Sequence, residues 1–159
     1  MQREYSFMTS GKANAFQEKA LDHYFALYGW ASEKMSERCW RSTFRGKYKT
    51  YQLQVELSDT WISFRVAPLL FVTQDWQYWP EILHYLLQLN EATQIAKISL
   101  DQDGMINLSM QCLALDFDYK KFEMHLGILG YYSDAIYEEI IAYFREIGLH
   151  RTHANGYLS

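Results

Sequence analysis

The chain has 159 residues, 49% hydrophobic, 17% aromatic and 21% charged, with a net charge of −4 and a pI of about 5.7. That length gives one domain with room for a sizeable core, and the acidic balance argues against nucleic acid as the main partner, because phosphate binding needs a basic face. Two cysteines, Cys39 and Cys112, are too few for a disulfide framework and form no CxxC pair, and no run of about 18 apolar residues is present to span a membrane.

The start, MQREYSFMTSGKANAF, lacks the basic segment and apolar stretch of a signal peptide, so the cytoplasm is the expected location. Residues 1–12 are polar and aperiodic, the pattern of a loose arm. Asn14 suits the cap of a helix running to about Tyr28, with Phe16, Ala20, Tyr24 and Leu27 on one stripe and Gly29 as its stop. The period then changes to two. Trp40 and Phe44 oppose Arg41, Thr43 and Arg45 in 38–45, and Gly46-Lys47 breaks the run. Tyr51, Leu53, Val55 and Leu57 alternate with Gln52, Gln54 and Glu56 in 48–57. After the turn at Ser58-Asp59, Ile62, Phe64 and Val66 alternate with Trp61, Ser63 and Arg65 in 61–67. Three such strands form an antiparallel meander. The basic residues Arg38, Arg41, Arg45, Lys47 and Lys49 read as a solvated strand edge.

Leu69 to Trp79, LLFVTQDWQYW, is an apolar and aromatic connection, either folded back as core or offered to a partner. Pro80 fits the first position of a helix reaching about Leu89, with Ile82, Leu83, Leu86 and Leu87 inward and Asn90 as a left-handed stop. Alternating runs at 95–100 and 105–112 then make a hairpin across Gln102-Asp103-Gly104. Asp101 and Asp103 do not make an EF-hand: with Gly104 at the sixth position, Met110 takes the place of the twelfth-position Glu. A last helix, about 119–147, carries Phe122, Leu126, Leu129, Ile136, Ile140 and Phe144 on one stripe, and Gly127 and Gly130 mark a close approach or a kink.

The expected fold is α+β, a five-stranded antiparallel sheet packed on helices in the order α-β-β-β-α-β-β-α. It forms a single domain over 1–159 with an ordered core at about 14–147. The open face of the sheet would show Gln52, Gln54, Glu56, Ser63, Arg65, Lys97, Ser99, Asn107, Ser109 and Gln111, with Trp61 as its one large apolar side chain.

No nucleophile, base and orienting group can be assembled from the sequence. Gly11-Lys12 lacks phosphate-loop spacing, His150 and His153 lack a third metal ligand, and His23, His84 and His125 stand alone on helices. The chain is therefore expected to be no enzyme and to carry no catalytic residue, metal or cofactor. Aromatic residues often supply binding energy at interfaces. The candidate partner-binding residues are accordingly Trp61 and Arg65 on the sheet and Phe71, Trp76, Tyr78 and Trp79 in the connection.

Three segments in succession, Leu86-Leu87-Gln88-Leu89-Asn90, Ala96-Lys97-Ile98-Ser99-Leu100-Asp101 and Asp103-Gly104-Met105-Ile106, resemble the YbjN family. That family is similar in fold to the type III secretion chaperones of the Tir-chaperone kind, and the element order over about 14–147 matches it. The resemblance implies a small α+β protein that often dimerises and binds a peptide or protein segment, with no catalytic residues to carry over. The leading expectation is a non-enzymatic binding protein, chaperone-like or regulatory, working as a homodimer with a protein or peptide client and with neither nucleic acid nor membrane as partner. The alternative is a small-ligand receptor or an enzyme whose site assembles from separated residues such as Cys112 or His125.

Overall fold

Alternation of apolar and polar side chains builds one sheet, and three amphipathic helices cover one side of it. The computed structural model describes residues 11–72 and 78–148, with side chains from Gln17 onward. The elements are α1 (Gly11–Tyr28), β1 (Ser32–Ser36), β2 (Cys39–Arg45), β3 (Thr50–Leu57), β4 (Trp61–Phe71), α2 (Trp79–Ala92), β5 (Lys97–Leu100), β6 (Met105–Leu113) and α3 (Tyr119–Glu146). The strands lie in the order β1-β2-β3-β4-β6-β5 and every neighbouring pair is antiparallel.

The sheet thus has six strands, where the sequence pattern implied five. The additional one is β1, Ser-Glu-Lys-Met-Ser, whose residues are all exposed. A strand that buries neither face carries no alternation to read. It is held by pairing to β2 and by Lys34, whose ammonium donates to Asp22 at 3.0 Å while Asp22 also accepts from the Trp40 indole at 2.6 Å.

The second correction concerns 69–71, expected as connection. β4 continues through them, with an irregular register between Val66 and Leu70 that takes in Pro68. Proline has no amide to donate, so an irregularity in the ladder accommodates it. Leu69, Leu70 and Val72 are buried, which assigns the first part of the apolar connection to the core.

The helices show where a stripe was read in phase and where it was not. On α3 all six expected residues are buried, and Asp118 caps its start by accepting from the Lys121 amide at 2.8 Å. A Cβ on Gly127 would meet nothing within 4 Å and one on Gly130 only the Phe44 ring at 4.0 Å, so neither glycine marks a close approach. On α1, which begins at Gly11 so that Asn14 lies inside it, the buried residues among the described side chains are Leu21 and Phe25, while Leu27 is exposed and the side chain of Phe16 lies outside the described ones. Tyr24 lies beside that stripe, its ring near Phe117, Tyr119 and Phe122. Phe25 meets Phe122 edge-on at 5.0 Å and Tyr85 stacks on Tyr143 at 3.8 Å, so α1 and α2 both flank α3 in one helical layer.

Two polar residues organise the end of the sheet. Asn90 does not stop α2, which continues to Ala92; its Oδ1 accepts from the Ile98 amide at 2.9 Å. β5 is an outermost strand, and this bond occupies a backbone donor that no strand neighbour takes. Asp101 closes the β5–β6 hairpin. Its Oδ1 accepts from the amides of Asp103 at 3.0 Å and Met105 at 2.9 Å, and its Oδ2 accepts from the Asn107 amide group at 3.1 Å. Gly104 follows at φ +78°, a conformation glycine supplies cheaply. The acidic stretch is a turn device.

Burial raises the Asp101 carboxyl, but the Met105, Asn107 and Asp103 donors and the Arg65 charge together hold it below its ordinary value. Its contribution to stability is therefore present at neutral pH and is lost as pH falls through that lowered folded value. Asp101→Ala is expected to cost about 1–3 kcal/mol at neutral pH, measured by urea unfolding, and the gap between parent and variant should close in acid, below about pH 4.

Candidate binding site

With the helices on one side, the outer face of the sheet is open. Gln54, Glu56, Ser63, Arg65, Ser99, Ser109 and Gln111 line a shallow depression of about 280 Å³ on it. Gln111 donates to the Ser63 hydroxyl at 3.0 Å and Gln54 to Glu56 at 2.5 Å. Asn107, expected on the open face, is fully buried, because its amide group is drawn beneath the hairpin by Asp101 and the Met105 carbonyl. At one end of the face Trp61, 46% exposed, pairs across the ladder with Leu113, and Leu115, 76% exposed, follows.

A second surface lies where α2 meets the β5–β6 hairpin. Trp79, Leu83, Leu100 and residues 101–104 line an apolar groove of about 280 Å³. Of the four α2 residues expected inward, only Ile82 and Leu86 are buried; Leu83 is 43% and Leu87 69% exposed. Four apolar residues at i, i+1, i+4 and i+5 make a stripe wider than one sheet edge covers, so half of it is left facing out. Leu100, a further wall of the groove, is also exposed.

Five of the six candidate residues lie among the described residues. Trp61 and Arg65 are on the open face. Phe71 is half-buried at the end of β4, Tyr78 half-buried at the start of α2, and Trp79 is buried against the hairpin as a wall of the groove. Trp76 lies in 73–77, outside the described residues. Leu83, Leu87, Leu113 and Leu115 went unread as surface: the first two looked like core, and the last two fall where the alternation ends.

The separated groups of the alternative site have little reactivity. Burial pushes the Cys112 thiol up to about 11, against a smaller opposing pull from Lys121, so it stays protonated at neutral pH and is a poor nucleophile. His125 is wedged beside Phe64 and Phe117, with Nδ1 donating to the Lys121 carbonyl at 2.6 Å. Burial lowers Lys49, whose ammonium donates to the Leu69 carbonyl at 3.0 Å. Among the described residues no three His, Cys, Asp or Glu side chains converge, and no helix is long and apolar enough to cross a membrane.

The basic residues read as one edge are also dispersed. Arg38 bridges Glu18 at 3.3 Å and Asp59 at 2.8 Å, Lys47 lies 3.8 Å from Glu138, and Arg41 and Arg45 stand exposed on β2.

The architecture has counterparts among solved structures. The Yersinia pestis type III secretion chaperone SycH, solved in complex with a stable fragment of YscM2, matches with a TM-score of 0.50 and 13% identity over 75% of this chain and 98% of that one. A chain of the HopA1–SchA chaperone–effector complex matches with a TM-score of 0.57 and 10% identity over 81% of this chain and 98% of that one. The chain shares its fold with type III secretion chaperones. No family model and no curated protein matches it. In this secretion-chaperone-like fold, the open sheet face and the α2 groove are two surfaces on which apolar side chains stand exposed.

Proposed function

We propose that this chain is a non-enzymatic, chaperone-like protein-binding module of the YbjN kind, working in the cytoplasm as a homodimer that holds a segment of a client protein. The exposed half of the α2 stripe carries the reading. Leu83 and Leu87, beside the Trp79–Leu100 groove, form an apolar protein-facing surface on a fold shared with chaperones solved in complex with protein fragments and effectors. In this reading α2 meets a second copy. Trp61 and Arg65 on the open face, with Phe71, Trp76 and Tyr78, contact the client, and Trp79 supports the groove from beneath. The alternative at Cys112 or His125 draws no support from a protonated thiol and a histidine held between two rings.

Trp61→Ala and Trp76→Ala, each measured for client affinity and for thermal unfolding, test the assignment. Loss of an aromatic binding residue is expected to weaken client binding about tenfold or more while the melting temperature stays close to that of the parent. A large fall in stability with binding intact would place the ring in the core instead.

A further inference from the structure

The register of the sheet sets one row of side chains across all six strands of the open face. Glu33 pairs with Arg41, Arg41 with Gln54, Gln54 with Arg65, Arg65 with Ser109, and Ser109 with Lys97. Directly paired residues in a ladder point to the same side, so these six form a line perpendicular to the strands. Arg41, Arg65 and Lys97 are exposed. Among the described residues none of the three has a carboxylate within ion-pair distance. With Arg45, the open face holds four cations against three carboxylates, Glu33, Glu56 and, at the hairpin end, Asp101, which feels the Arg65 charge, on a chain whose net charge is −4.

The spacing narrows the occupant. Strands lie about 4.8 Å apart, so Arg41, Arg65 and Lys97, each two strands from the next, recur at about 9.6 Å. A polyproline-II segment advances about 3.1 Å per residue and returns to the same side every third residue, a repeat of about 9.3 Å. Between the cations stand Gln54 and Ser109, which can hydrogen-bond a peptide backbone that satisfies none of its own groups. An amphipathic helix would find no apolar side chain along the row to cover.

We propose that this row is the docking track for an extended acidic segment of a protein partner, laid across the strands with carboxylates at every third residue meeting Arg41, Arg65 and Lys97. The proposal rests on the protein-binding reading above and specifies the chemistry of the client. Glu33 ends the track beyond Arg41 and disfavours a further carboxylate there.

The probe is a fluorescein-labelled peptide of about nine residues with glutamate at every third position and proline and serine between, followed by anisotropy. Saturable binding is expected, weakening steeply as salt rises, because the charges are exposed and easily screened. Arg65→Glu is expected to weaken it at least about tenfold while the circular dichroism spectrum of the folded chain is retained, and a peptide of the same composition with its glutamates adjacent should bind several-fold less tightly.

No saturable binding, or equal binding by parent and Arg65→Glu, overturns the proposal. So does displacement of the peptide by an oligothymidylate that binds more tightly, which makes the track a nucleic-acid site. Self-association beyond a dimer that Arg65→Glu abolishes overturns it too, in favour of a second copy. A native protein partner retained by Arg65→Glu defeats this inference and leaves the protein-binding reading standing; the absence of any protein partner for the parent chain defeats that reading itself.

Discussion

Replacing Leu83 and Leu87 together by glutamate is expected to leave a folded monomer. Leu87 is 69% and Leu83 43% exposed on successive turns of α2, so the fold loses only the partial packing of Leu83 in the groove when they go. In the proposed homodimer, with α2 at a twofold interface, each is counted twice. Four leucines that bury about 1.5–3 kcal/mol each, replaced by facing carboxylates, raise the dimer dissociation constant by more than about a thousandfold. Sedimentation equilibrium across a concentration series reads the change directly, and a helix-rich circular dichroism spectrum shows that the fold persists. Ile82→Glu is the contrasting substitution: Ile82 is buried, so a charge there unfolds the chain rather than separating it. An unchanged mass for the Leu83→Glu, Leu87→Glu variant would remove α2 from the interface.

The second large effect concerns Gly46, where the β2–β3 turn docks on α3. The Lys47 amide donates to Asp134 Oδ2 at 2.8 Å, the Tyr51 hydroxyl donates to Asp134 Oδ1 at 2.9 Å, and Tyr48 stacks against Tyr137 at 5.7 Å. Burial and the Asp134 carboxylate both raise the Tyr51 hydroxyl, which therefore remains a donor throughout the working pH range. A Cβ on Gly46 would press into the Tyr51 ring and the Asp134 carboxylate, well inside van der Waals contact. Tyr51 is fully buried and cannot withdraw, so Asp134 has to move and its bond to Tyr51 is lost. Overpacking of about 1–3 kcal/mol, with a buried hydrogen bond of about 1 kcal/mol, gives a loss of about 2–4 kcal/mol for Gly46→Ala. That corresponds to a fall of roughly 8 °C in melting temperature. Adding Asp134→Ala removes one of the two obstacles, so the double variant should lose less than the sum of the singles. Strict additivity would mean that Asp134 is not what Gly46 makes room for.

The elements legible in the sequence were those that bury one face. β2, β3, the first half of β4, β6 and α3 alternate or repeat because their inward residues fill the core, and each was found in phase. β1 was illegible because it buries nothing. The remainder of β4 was hidden by Pro68, whose place in an irregular ladder only the neighbouring β6 explains. Asn90 reads locally as a helix stop, whereas its bond to Ile98 joins residues that sequence spacing does not reveal as neighbours. The candidate surfaces followed the same division. Trp61 stood out as an aromatic on a polar face. Leu83 and Leu87 did not, since a sequence carries the apolar stripe of α2 but not the width of the sheet edge that receives it. The cation row depends on register between six strands, one of which had not been seen.

The central claim is that this chain holds another protein, and isolating the tagged chain from its own cells and quantifying what stays bound tests it most directly. The account predicts one dominant protein in a fixed ratio to a dimer of the chain, lost when Trp61 is replaced by alanine and retained by a Cys112→Ser control. A chain recovered without any protein partner, or one carrying only a small molecule that Trp61→Ala leaves in place, would contradict it.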